Sequence, residues 1–177
     1  MDGLLFDSER IVQRSWEIAG DELGIPHMED VIYHTLGMNR AGRNEYFRKY
    51  IREDFPFEEF GKLTRDNFWK IVDKEGLPLK KGAKELLAYG KSQGYKMAVA
   101  TSSSREYAMG NLIRAGIDSH FDSVVCGDMV KKAKPDPEIY QKACESLGIQ
   151  PEYCMAFEDA PGGILSAHQA GMQVIMV

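Results

Sequence analysis

Four times in the second half of the chain, a helical pattern of apolar residues runs into a glycine and then into a short, mostly apolar run. Ala83, Leu86 and Leu87 lead to Gly94 and then to residues 97–100; Ala108, Leu112 and Ile113 lead to Gly116 and residues 123–126. Ile139, Ala143 and Leu147 lead to Gly148 and residues 155–157, and Ile164, Leu165 and Ala170 lead to Gly171 and residues 174–177. Glycine just past a helix end accepts a left-handed backbone that a β-carbon penalises. Repeated helix–glycine–strand units imply a parallel sheet with helices on its faces. The short runs carry almost no charge, as strands buried on both sides require.

The stretch before residue 77 reads differently. Val12, Trp16, Ala19 and Leu23 step by four, three and four and so share one face of a helix. Tyr46, Phe47 and Ile51 suggest a second helix, and Phe60, Thr64, Phe68 and Ile71 a third, with no strand pattern among them. The expected architecture is therefore α/β: a Rossmann-like parallel sheet core from residues 1–8 and 77–177, with residues 9–76 inserted as an all-helical domain. A chain of 177 residues is long enough for one filled core and a smaller lobe.

Composition narrows the function. A net charge of −5 gives no electrostatic case for nucleic acid or an anionic membrane, both of which select clustered Lys and Arg. No apolar stretch approaches the roughly 20 residues of a membrane span. Asp2, Asp7, Glu9 and Arg10 interrupt the start, where a secretory segment would be basic and then apolar. Cys126, Cys144 and Cys154 lack metal-ligand spacing and are odd in number, which points to a reducing compartment and a cytoplasmic protein. His27, His34, His120 and His168 are too scattered for a zinc site.

Open parallel sheets bind ligands at the carboxyl ends of their strands. Those ends carry Thr101-Ser102-Ser103, Gly127-Asp128 and Glu158-Asp159; Asp2-Gly3 opens the chain, and Lys134-Pro135-Asp136-Pro137 opens a helix. Each group suits phosphoryl transfer. Mg²⁺ takes hard oxygen ligands, which Asp2, Glu158 and Asp159 supply. Thr101 and Ser102 stand where hydroxyls and free amides receive phosphate oxygens. Lys134 sets a compact positive charge against the transferring group. Asp2 can give and take a proton. Blander readings stand beside these. Asp7-Ser8 and Glu158-Asp159 are good helix caps, Thr101-Ser102-Ser103 caps a helix as readily as it binds phosphate, and Asp128 is either a loop residue or a support.

Met1-Asp2-Gly3-Leu4-Leu5-Phe6-Asp7-Ser8-Glu9 resembles the tail of the first motif of haloacid dehalogenase-like hydrolases, in the branch of β-phosphoglucomutase and related sugar-phosphate phosphatases. Thr101-Ser102-Ser103 resembles the second motif, Lys134-Pro135-Asp136-Pro137 the third, and Phe157-Glu158-Asp159-Ala160-Pro161-Gly162-Gly163 the fourth. The motifs follow in order along essentially the whole chain, with the helical insert as a cap. The resemblance implies that Asp2 is the general acid/base and contacts Mg²⁺ through its backbone carbonyl. It implies that Glu158 and Asp159 hold the metal, and that Thr101 or Ser102 and Lys134 bind the phosphoryl group.

The resemblance also places the nucleophilic aspartate two residues before Asp2, upstream of Met1, with the central strand that leads to it missing as well, and family members usually continue past Val177, so both ends are expected to be trimmed and apolar strand faces left unpartnered. In the cap, the mutase's Ser-Arg-x-Asp-Ser-Leu is replaced by Gly37-Met38-Asn39-Arg40-Ala41-Gly42-Arg43. Arg40 matches the phosphate-gripping arginine, while the residues after it do not, which favours hydrolysis over mutase chemistry. The expected activity is Mg²⁺-dependent hydrolysis of a small phosphorylated metabolite, a sugar phosphate, through an aspartyl phosphate. The alternatives are a phosphomutase of the β-phosphoglucomutase type and, if Met1 is the true start, an inactive binding module. A dehalogenase fits less well, because that chemistry needs neither a metal nor an acid at Asp2.

Overall fold

The computed structural model describes residues 1–35, 38 and 40–177, with the side chains of Arg40 and Ala41 outside the description. The chain forms two compact units, one of Ser8–Gly76 and one of Met1–Asp7 with Leu77–Val177. Among the described residues, no helix is long and apolar enough to cross a membrane.

The Ser8–Gly76 unit contains α1 (Glu9–Glu22), α2 (Met28–Thr35), α3 (Arg40–Tyr50) and α4 (Phe57–Glu75). Its core joins Trp16, Ala19, Ile25, Met28, Phe47, Phe55 and Phe60. Trp16 meets the rings of Phe47 and Phe60 edge-on at 5.7 and 5.5 Å, the arrangement that sets a ring's positive edge against a negative face. α2 was not anticipated. Its buried Met28, Val31, Ile32 and Thr35 keep helical spacing, but eight residues hold too few turns for the period to stand out. Ser8 occupies the position before α1, yet its side chain makes no capping bond, so the capping role read from Asp7-Ser8 does not hold. Asp7 instead lies 3.8 Å from the Lys80 amine.

The other unit carries α5 (Ala83–Ser92), β1 (Ala98–Ala100), α6 (Arg105–Arg114) and β2 (Ser123–Val125), then α7 (Glu138–Leu147), β3 (Met155–Glu158), α8 (Pro161–Gln169) and β4 (Gln173–Met176). All ladders are parallel, but they form two pairs: β1 with β2, Val99 opposite Val124, and β3 with β4, Ala156 opposite Val174. No strand joins the pairs among the described residues. The segment from Met1 to Phe6 turns on itself instead. The Leu5 and Phe6 amides donate to the Met1 carbonyl, and Phe6 bridges to Leu79.

Side chains do the joining. Val125 of β2, Ile139, Tyr140 and Ala143 of α7, Ala156 of β3 and Ala167 of α8 share one buried cluster, with Ala98 and Ala100 of β1 against it. The alanines let helix and strand backbones approach closely. On the other side, Phe6, Leu87, Val99, Leu112 and Ile117 form a second cluster.

Trp16 anchors the helical unit from a site only 6% exposed. Trp16→Ala is expected to lower stability by about 3–5 kcal/mol, the range for deleting a buried large aromatic side chain. Urea denaturation followed by far-UV circular dichroism measures it.

Candidate active site

Lys134 lies in the loop that enters α7, and its side chain is 14% exposed. Its Nζ donates to the Ala100 carbonyl at 3.2 Å and the Tyr140 hydroxyl at 3.3 Å, and it forms an ion pair with Glu158 Oε1. Glu158 stands at the carboxyl end of β3 with 6% exposure. Tyr140 donates its hydroxyl to the same Glu158 oxygen and sets its ring 4.8 Å from the ammonium. Burial pushes the Glu158 carboxyl up, but the Lys134 hydrogen bond and charge, with the Tyr140 hydroxyl, outweigh it and hold the group below its ordinary value. Burial, and then the bond to Glu158, raises the Tyr140 hydroxyl, so it stays a donor.

Asp2 is held by two hydroxyls. Ser103 Oγ donates to Asp2 Oδ2 at 3.0 Å, and the Tyr107 hydroxyl donates to Asp2 Oδ1 at 3.0 Å. The loop after β1 is shaped to deliver Ser103. Thr101, 4% exposed, accepts the Ser103 amide on its Oγ1 at 3.2 Å. Gly127 packs against the Ser102 backbone so closely that a methyl group would overlap the carbonyl. Ser104, rather than the three residues before it, caps α6 by accepting the Tyr107 amide at 3.4 Å. Asp128 accepts the Arg105 amide at 3.0 Å, so it supports the start of the same helix.

Two glycines leave space for the remaining carboxylates. Gly3, at φ +71°, lies against the Asp159 carboxylate, and Gly163 in the first turn of α8 lies against the Glu158 carboxylate; a β-carbon at either would overlap it. Lys134 is paired with Glu158, Asp159 follows Glu158 in the chain, and the Asp159 carboxylate lies against Gly3, the residue after Asp2. The structure thus brings Asp2, Lys134, Glu158 and Asp159 together and puts Thr101, Ser102 and Ser103 on the adjoining loop. Arg40 carries its side chain outside the described residues. Tyr107 and Tyr140 were not singled out as site residues, and Ser103 was read only as part of the Thr101-Ser102-Ser103 motif. Tyr107 stands three residues after the capping Ser104 and Tyr140 six after Lys134, and that closeness to the motifs was the available signal.

A divalent cation fits this donor set. Glu158 and Asp159 offer hard oxygens, and the glycine cradles admit them without a side chain in the way. The Asp2 carboxylate is turned to Ser103 and Tyr107, so its contribution to a metal would come from the backbone. Among the described residues, the cluster whose metal-capable atoms all lie within 4.8 Å is His27, Glu29 and Asp30 in the helical unit. His27 and Asp30 are exposed there, and nothing further marks that cluster as a site.

A parallel α/β unit that gathers lysine, carboxylates and hydroxyls at its strand ends is built as an enzyme of the hydrolase class. The chain belongs to the haloacid dehalogenase-like hydrolase family, whose model matches residues 1–177. It is 33% identical over 175 residues to a phosphorylated carbohydrates phosphatase of Thermotoga maritima, covering 99% of this chain and 81% of that protein. It is 31% identical over 177 residues to hexitol phosphatase A of Escherichia coli, covering 100% of this chain and 80% of that protein. The crystal structure of CbbY from Rhodobacter sphaeroides in complex with phosphate superposes with a TM-score of 0.80 at 26% identity, over 99% of this chain and 82% of that one.

Gly163→Ala is expected to cost about 1–3 kcal/mol, because the new methyl must displace a buried carboxylate. Gly162→Ala, where a β-carbon meets nothing within 4 Å, is expected to be neutral or stabilising. Paired thermal melts of the two variants check the contrast.

The loop before Lys134 gives a pH-dependent expectation. Glu138 accepts the Lys131 and Lys132 amides at 2.9–3.0 Å, and these bonds lower its carboxyl from 4.5 to about 2. A depressed folded-state value means the stabilisation is complete above about pH 4.5 and is lost as pH falls toward 2. The melting-temperature gap between the parent chain and Glu138→Gln is therefore expected to close over that window.

Proposed function

We propose that this chain is the phosphoryl-transfer core and cap of a Mg²⁺-dependent phosphatase acting on a small phosphorylated metabolite, a sugar phosphate. The observation that carries the reading is the meeting of Lys134, Glu158, Asp159 and Asp2 at the strand ends of one α/β unit. Relatives named as phosphatases of phosphorylated carbohydrates and hexitols support the substrate class.

In this reading the nucleophile is an aspartate immediately before Met1, two positions ahead of Asp2, and it takes the phosphoryl group as an aspartyl phosphate. Lys134 binds the equatorial phosphoryl oxygens and offsets the charge that spreads over them. The Ser102 hydroxyl and the amides of the loop after β1 receive the same oxygens. Asp2 gives a proton to the departing sugar oxygen, then takes one from the water that attacks the aspartyl phosphate. Glu158 and Asp159, with the Asp2 backbone carbonyl, would hold Mg²⁺, which when bound supplies charge neutralisation for the phosphoryl group. Tyr140 keeps Lys134 and Glu158 in register.

The test is a chain extended so that an aspartate stands immediately before Met1, assayed with Mg²⁺ and a panel of sugar phosphates. Release of inorganic phosphate is expected from this chain and not from one carrying asparagine at that place. Lys134→Ala is expected to lower kcat by about 10²–10³, the range for losing one charge-stabilising group. Conversion of β-glucose 1-phosphate to glucose 6-phosphate without free phosphate would establish the mutase instead. No turnover of any ester by the extended chain would leave a binding module.

A further inference from the structure

The carboxylate assigned to acid and base work is gripped by a side chain to which that assignment gives no part. Tyr107 lies in the first turn of α6, and its hydroxyl donates to Asp2 Oδ1 at 3.0 Å, while Ser103 Oγ donates to the other oxygen at 3.0 Å. Two donors on two oxygens fix the plane of a carboxylate, where a single donor leaves it free to turn. The ring is mostly buried. Burial first, and then the Asp2 charge and bond, hold the phenol above its ordinary value, so it faces Asp2 only as a donor. Asn111, one turn further along α6, is fully buried. The backbone places the ring with equal care: Ser104 accepts the Tyr107 amide, and Asp128 accepts the Arg105 amide two residues earlier.

We infer that Tyr107 is a positioning residue for the proton-transfer step, holding the Asp2 carboxyl so that the proton leaves from, and returns to, a fixed direction. The inference rests on the phosphatase reading. In the first half-reaction, the Asp2 carboxyl proton passes to the ester oxygen as the P–O bond to the leaving group breaks and the bond to the nucleophilic aspartate forms. In the second, the Asp2 carboxylate takes a proton from water as the water oxygen bonds to phosphorus and the aspartyl bond breaks. Protons balance over the cycle, and Tyr107 keeps its own throughout. A residue with this role matters in proportion to how much the leaving group needs a proton. An alkoxide leaving group needs it; a nitrophenolate does not.

The experiment compares Tyr107→Phe with the parent in the aspartate-extended chain, using single-turnover release of the leaving group from an alkyl sugar phosphate and from p-nitrophenyl phosphate. Phenylalanine keeps the ring and its packing. The expected result is a roughly tenfold slower phosphorylation step with the sugar phosphate, near-parent rates with the aryl ester, and an unchanged KM for both. Equal loss on both esters, or no loss on the sugar phosphate, overturns the inference. A second measurement needs no turnover: ¹³C NMR of the aspartate-labelled 177-residue chain is expected to show the Asp2 side-chain carbonyl resonance moving on Tyr107→Phe while that of Asp122 stays in place. An unmoved Asp2 resonance in a well-dispersed spectrum also overturns it. A parent enzyme with no turnover, together with a shifted Asp2 resonance, refutes the phosphatase reading and the catalytic role with it, while leaving the Tyr107–Asp2 contact established.

Discussion

The buried pair of Lys134 and Glu158 is the link on which the α/β unit depends. Among the described residues the two strand pairs share no ladder: backbone hydrogen bonds hold β1 to β2 and β3 to β4. Lys134 spans that gap: one ammonium bonds to Ala100 at the end of β1, to Glu158 at the end of β3 and to Tyr140 of α7. Taking two charges out of water costs several kcal/mol each, and the cost is offset only when partners are close and hydrogen-bonding capacity is filled. Here the carbonyl, the phenol and the carboxylate fill it. Beneath the pair, the alanine-lined cluster under α7 and α8 supplies the apolar burial that spans the same gap.

That arrangement sorts the carboxylates by environment. Glu158 faces a cation and a phenol and is held in its charged form despite burial. Asp2 accepts hydrogen bonds from two neutral hydroxyls, those of Ser103 and Tyr107. Carboxylates in unlike surroundings are suited to unlike tasks. A group fixed as an anion serves to hold a cation. The division proposed between Glu158 and Asp2 follows from their neighbours rather than from their residue types.

The alternation of helix, glycine and strand was legible because the period changes sharply at each unit, and the parallel direction followed from the connections. Which strand lies beside which was not legible, because the four apolar runs are alike in character. The loop that carries Lys134 stood out by its prolines, yet its anchoring by Glu138 did not, because a glutamate in a first helical turn looks like ordinary dipole compensation. Helix-capping logic found the position of Ser8 but not its missing side-chain bond, and it chose the wrong residues after β1. Several consecutive hydroxyl residues satisfy the pattern equally, and only backbone torsions choose Ser104 among them. Tyr107 and Tyr140 were hidden for a related reason. An aromatic residue at helical spacing reads as core, and the hydroxyl that makes it polar acquires meaning only when a carboxylate from a distant part of the chain reaches it.

Fold and chemistry here draw on the same atoms, which governs how substitutions are to be interpreted. Removing one member of a buried ion pair leaves the other uncompensated, at a typical cost of about 3–5 kcal/mol. Loss of activity on changing Lys134 therefore mixes a missing phosphoryl-binding charge with a loosened junction between the strand pairs. Tyr107 is neutral in its contact with Asp2, and replacing it by phenylalanine removes the hydroxyl while keeping the ring. A site built around a structural salt bridge is most cleanly probed through the neutral groups that steer its acids.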